Sequence, residues 1–152
     1  LVANYIFGGS GFGSMLMSEI REKKGLAYSV HSYLMPYDEI GLMKIGMQTQ
    51  NKNTKKAIMI LKKQMMKLKE AKFSDKQINE AKIGLLRSFE LRFDTNKKIL
   101  GTLSAINELG IFNNYFINYE NGIKAVTSES LSSAIKSEIN FDNTLITTVG
   151  TN

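Results

Sequence analysis

From Ser14 to Lys24 the apolar residues recur at helical spacing, Leu16 and Ile20 four apart with Met17 widening the stripe, which predicts a helix. Gly25 stops it, and Leu26 is placed to cover its end. From Ala27 to Met35 the period falls to two. Tyr28, Val30, Ser32 and Leu34 share one face, and Ala27, Ser29, His31 and Tyr33 the other. Ile40 to Thr49 alternates again, with Met43, Ile45 and Met47 together. Pro36 to Glu39 reads as the turn between the two runs, so an antiparallel hairpin is expected. The helical period then returns. Asn53 caps a helix to about Ala71 with the stripe Ile58, Leu61, Met65 and Leu68. Ser74-x-x-Gln77 is a capping box that opens a long helix with Ile78, Ala81, Leu85 and Phe89 inward. The pattern resumes through Ile99, Leu103 and Ile106 after a break near Asp94, and Gly110 ends it. Thr127 or Ser128 caps a last helix carrying Leu131, Ile135 and Ile139. Thr144 to Val149 is β-rich and reads as a closing strand that returns to the sheet. At the start, Leu1 to Phe7 fits the end of a helix or of a strand. Gly8 to Gly13, with four glycines in six positions, reads as a loop.

Neighbouring strands followed by helices define an α+β fold, an antiparallel sheet backed by helices, rather than a doubly wound sheet. Three strands are few for so many helices, which implies that the first strand or strands of the sheet precede Leu1. The 152 residues suit a single domain, 1–152, and 43% hydrophobic residues suffice for a core. The chain starts at Leu1 rather than Met, as a fragment or a processed product does. No apolar run is long enough to span a membrane. The chain has no cysteine, which excludes disulfides and thiolate metal sites and suits a reducing or an oxidising compartment, periplasm or cytoplasm if bacterial. The formal charge of +6 comes largely from lysines between Lys52 and Lys72. They recur between apolar residues as on a solvated helix face. No aromatic residue is interleaved with them to stack on bases, which argues against nucleic acid as a partner.

Two chemistries are tested by the motifs and fail. The glycine loop before a helix has the layout of a phosphate-binding turn, but the dinucleotide fingerprint needs a third glycine where Ser14 stands. A metal site needs clustered ligands, and His31 is the only histidine. Glu19 and Glu22, three apart, serve better to balance Arg21, Lys23 and Lys24 than to bind metal.

The most specific stretch is Gly8-Gly9-Ser10-Gly11-Phe12-Gly13-Ser14-Met15-Leu16, followed by Arg21-Glu22-Lys23-Lys24-Gly25-Leu26-Ala27-Tyr28. It resembles the signature of the C-terminal, non-zinc half-domain of the pitrilysin/insulinase zinc metallopeptidases, to which the mitochondrial processing peptidases belong. That signature is a glycine-rich loop, Ser-Arg-Leu, then Leu-Arg-Glu and Gly-Leu-Ala-Tyr. The likeness runs along essentially the whole chain, through the hairpin, the two long helices, Ala125-Val126-Thr127 before a helix and a final strand ending at Gly150. It implies a fold of the insulinase/processing-peptidase half-domain type. It also implies that zinc is bound by the other half, in the same chain or a partner subunit, through an inverted His-x-x-Glu-His motif. The implied function is that of the substrate-binding, non-catalytic half of an endopeptidase acting on extended peptides. A catalytically inert partner or core subunit of the same family is the alternative. The residues that the resemblance assigns to substrate are Arg21 and Tyr28, with Gly9, Ser10 and Gly11 as a substrate loop; it assigns no catalytic residue and no metal ligand to this chain. The sequence departs from the signature at Met15, where the family carries Arg.

Overall fold

The computed structural model describes residues 1–37, 40–111 and 114–150. The chain opens with a helix, α1 (Val2–Asn4), that widens into a π-helix over Tyr5–Gly9, where the Ser10 N–H donates to the Tyr5 carbonyl five residues back. The first two glycines of the expected loop therefore continue a helix. Gly8 is there because the helix lies against the first strand. A Cβ at this position would sit 2.5 Å from Ser32 Oγ, 2.6 Å from the Ser32 backbone nitrogen and 2.9 Å from Leu16 Cδ1. The chain reverses only at Gly11, whose φ of +69° is in the left-handed region, and a 3-10 turn spans Gly11–Gly13.

Ser14 then starts the second helix, its buried Oγ accepting from the Met17 N–H at 3.3 Å. This helix also widens to π over Met17–Glu22, with the Lys23 N–H on the Ser18 carbonyl. Leu16, Met17 and Ile20 are buried, as the spacing predicts. Gly25, at φ +59°, ends it, and the Leu26 N–H caps the Ile20 carbonyl.

Strands β1 (Ala27–Pro36) and β2 (Gly41–Thr49) form the expected antiparallel hairpin, in register from Val30 opposite Met47 to Pro36 opposite Gly41. Of the turn expected over Pro36–Glu39, Asp38 and Glu39 lie outside the described residues. The register slips between Ala27 and Ser29, so Tyr28 is the extra residue of a β-bulge. The bulge corrects the predicted faces. Ala27 is buried on the core side with Val30 and Ser32, while Tyr28, expected to share the face of Val30, is 79% exposed.

Helices α2 (Thr54–Glu70) and α3 (Asp75–Glu90) follow, then α4 (Asn96–Glu108), α5 (Tyr115–Ala125) and α6 (Ser128–Glu138). The Ser74–Gln77 capping box opens α3 and Thr127 caps α6. The buried stripe of α2 is Ala57, Ile60, Gln64 and Leu68, rotated from the expected Ile58, Leu61, Met65 and Leu68. Leu61 and Met65 flank it, half-buried against the core. Helix α5, which the periodicity reading did not place, packs Phe116 and Tyr119 on the aromatic end of α3, with Tyr119 stacked on Phe89 at 4.1 Å between centroids.

The expected closing strand does not form. Among the described residues the sheet has two strands, and 144–150 makes no ladder. Leu145 and Val149 stay almost fully exposed, so these side chains of the β-rich segment find no apolar partner among the described residues. The core instead sits between the first two helices, the inner face of β1 and helices α2, α3, α5 and α6. No helix among the described residues is long and apolar enough to cross a membrane.

The contact at Gly8 sets a stability test. Gly8→Ala should destabilise the protein by about 1–3 kcal/mol in urea denaturation, because the neighbour that must yield is strand backbone. Gly13→Ala, with its nearest atom 3.9 Å away, should change stability by less than about 0.5 kcal/mol. Equal effects of the two changes would contradict the close-approach role of Gly8.

Candidate functional site

Three segments that meet at one edge of the fold carry the candidate residues: the glycine turn, the π-helix Met17–Glu22 and the bulge at the start of β1. The reversal at Gly11 swings Phe12 outward, where it is 66% exposed. The π-helix presents Arg21, half-buried, toward that ring. The guanidinium carbon lies 4.5 Å from the centroid of Phe12 and 5.2 Å from that of Tyr28. Arg21 is thus held between two exposed rings by cation–π attraction, worth about 0.5–1 kcal/mol per contact at such a site.

The arrangement orders the cation without neutralising it. Among the described residues the Arg21 side chain takes part in no ion pair or hydrogen bond, so its donors stay free for a ligand. The Glu19 carboxylate is engaged elsewhere, by Lys23 at 3.2 Å, and the Lys23 hydrogen bond holds it below the usual carboxylate range. Tyr28 is fixed at its base rather than its tip. The Thr49 hydroxyl donates to the Leu26 carbonyl across the mouth of the hairpin, next to the bulge that turns the phenol outward. Beside Tyr28 an open depression of about 440 Å³ runs past Gly25, Ala27, Gln48 and Asn53.

Of the sequence-predicted residues, Arg21 and Tyr28 come together on this open surface. Gly11 shapes the turn beside them. Gly9 belongs to the first helix, where a side chain would crowd Asn4, and Ser10 is the half-buried link between the two. Met15, at the position of the family's basic residue, packs half-buried against the core. Phe12 is the residue that sequence reasoning missed. Its signal was a large aromatic side chain flanked by glycines, with no apolar neighbour in the turn to bury it. Helix formation around it, not a flexible loop, makes it a fixed contact.

The donor set does not fit zinc. His31 is exposed on β1 opposite Gly46, and no group of three or more His, Asp and Glu side chains converges among the described residues.

The fold and this surface define a non-catalytic half-domain, a hairpin backed by helices that offers side chains from one edge. The chain belongs to the Peptidase M16 inactive domain family, whose model matches residues 1–85. This is the family that the glycine turn and the Gly-Leu-Ala-Tyr block resemble. The chain is 31% identical over 142 residues to a Helicobacter pylori protein named non-peptidase homolog YmxG, and 29% identical over 119 residues to a Bacillus subtilis protein named uncharacterized zinc protease YmxG. It spans about a third of the length of these relatives, 32% and 29% respectively. The crystal structure of a peptidase M16 inactive domain from Pseudomonas fluorescens superposes with a TM-score of 0.81 at 28% identity, over 93% of this chain and 34% of that one. An inactive peptidase domain from Bordetella parapertussis shares the fold, with a TM-score of 0.74 at 20% identity over 90% of this chain and 73% of that one.

The stacking of Arg21 is measurable by itself. Phe12→Ala should shift the Arg21 Nε–H resonance toward its random-coil position and raise its mobility on the nanosecond scale. The global stability should fall by less than about 1 kcal/mol. An unmoved resonance would show that Phe12 does not hold the guanidinium.

Proposed function

We propose that this chain is the substrate-holding, non-catalytic half of a zinc endopeptidase that acts on extended peptides. In this reading the zinc and the attacking machinery belong to another half, in the same polypeptide or a partner subunit, and further strands of this sheet lie outside the chain. The observation that carries the reading is the ordered but unpaired Arg21 between Phe12 and Tyr28. A cation kept out of ion pairs, with its planar donors exposed, suits the carbonyl groups of a peptide backbone. The Tyr28 hydroxyl, turned outward by the bulge, is the donor for the oxyanion that develops on the scissile carbonyl. The depression along Gln48 and Asn53 gives the extended chain room beside it.

A second reading is favoured by one observation, the name of the Helicobacter pylori relative, a non-peptidase homolog. In that case the same surface serves a catalytically inert partner or core subunit, since fold alone does not fix activity.

Kinetics on the complete protein with a quenched fluorescent peptide separate the two. Tyr28→Phe removes one hydroxyl and little volume, and activity should fall by roughly 10²–10³-fold, the usual loss for one oxyanion donor. Arg21→Lys should also be costly, because a point charge does not reproduce the donor fork. The loss belongs in kcat if the contact forms in the transition state, and in KM if it only holds the peptide. Wild-type kinetics in a folded Tyr28→Phe protein would overturn the peptidase role of the tyrosine. A wild-type protein with no turnover at all would establish the inert reading.

A further inference from the structure

Glu19 and Arg21, two residues apart on a helix, project from it in different directions. Where Arg21 faces the rings, Glu19 and Lys24 face α2 across a groove of about 430 Å³. Helix α2 brings a repeated heptad to that groove, Lys55-Lys56-Ala57-Ile58-Met59-Ile60-Leu61 followed by Lys62-Lys63-Gln64-Met65-Met66-Lys67-Leu68. Lys56 and Lys63, one heptad apart, stand on its rim, and Met59, 64% exposed, and Ile60 form an apolar wall.

Two features mark this groove. The side chains of Lys24, Lys56 and Lys63 form no ion pair or hydrogen bond among the described residues, while the carboxylate on the rim, Glu19, is hydrogen-bonded by Lys23 and attracts Lys24 from a distance. The groove therefore holds three cations against one carboxylate that Lys23 already engages. Gln64 also lines it, 3% exposed, on the buried stripe of α2 where large apolar residues were available to the pattern. Its Nε2 is buried without a hydrogen-bond partner among the described residues. A buried amide donor left unpaired is costly unless a ligand completes it.

We propose that this groove binds an acidic peptide segment, a carboxylate next to an apolar side chain. The apolar group packs on Met59 and Ile60, the carboxylate meets Lys24, Lys56 and Lys63, and a peptide carbonyl accepts from Gln64 Nε2. Three mobile ammonium groups, rather than one rigid guanidinium, suit a carboxylate presented at varying positions. A flat anionic bilayer would meet the lysines and Met59 but would leave the buried Gln64 amide unpaired.

The site is independent of the Arg21–Tyr28 reading, and its test keeps the two apart. The protein, labelled with 13C on its methionine methyls, is titrated with a fluorescein-tagged decapeptide of alternating Leu and Glu. The Met59 methyl, assigned with Met59→Leu, should shift on binding, and anisotropy should show affinity falling with salt. Lys56→Gln combined with Lys63→Gln should weaken binding roughly three- to tenfold. Gln64→Leu, which replaces the buried amide by an apolar side chain of similar size, should keep the fold and also weaken binding. The Met59 methyl shift should persist in Arg21→Ala, and a Leu-Gln decapeptide should bind at least about tenfold more weakly, as expected when two or more screened pairs are lost. The proposal is overturned by an unmoved Met59 methyl, by equal binding of the Leu-Gln peptide, or by a Gln64→Leu protein with full affinity. Binding to phosphatidylserine vesicles without binding to the peptide overturns it as well.

Discussion

The backbone of the first helix meets strand β1 at Gly8, where there is no space for a side chain, and the candidate surface is arranged around that contact. Because the helix lies so close to Ser32, the chain must continue past the strand before it can reverse, and it does so at Gly11. The reversal throws Phe12 outward and returns Leu16, Met17 and Ile20 to the core against the same strand. The second helix is thereby fixed with its polar side at the edge of the sheet. Arg21 reaches the rings from a rigid element rather than from a loop. A guanidinium ordered before a ligand arrives loses less conformational entropy on binding.

The bulge at Tyr28 is the second constraint. A strand alternating strictly from Ala27 would have turned Tyr28 to the face opposite Ala27 and put Val30 with it, which gives one of the two a wrong environment. One extra residue lets Ala27 and Val30 both enter the core and leaves the phenol free. Bulges are a common means of re-aiming a side chain beside a functional site, and here the re-aimed side chain is the one that pairs with Arg21. The two halves of α2 show the same economy on another surface. Its inner stripe completes the core, and its outer lysines leave an excess of positive charge along the groove.

Much of this was legible in the sequence because it is encoded locally. The Ser74–Gln77 box, the cap at Thr127, the stop at Gly25 and the period-two runs of the hairpin each depend on residues within a few positions of one another. What was not legible depends on tertiary contact. The stripe of α2 was read one position off because Ile58, Leu61 and Met65 outrank Ala57 and Gln64 in hydrophobicity, whereas packing selected the small and the polar residue. The face of Tyr28 was misread because a bulge leaves no mark on an alternating pattern. Thr144–Val149 has strand composition but no neighbour to pair with among the described residues. Arg21 and Tyr28 were found through a family resemblance, since neither periodicity nor charge singles them out. Phe12 needed the geometry of the glycine turn.

The central claim is that the surface of Arg21, Phe12 and Tyr28 receives a peptide chain. The most direct measurement is a crystal structure of the complete protein with a non-cleavable peptide analogue bound. The expected result is a peptide carbonyl within hydrogen-bond distance of the Arg21 guanidinium, with the Tyr28 hydroxyl directed at the same backbone and Arg21 still lying between its two rings. A peptide bound elsewhere, with Arg21 and Tyr28 facing only solvent or sealed against another subunit, would contradict it.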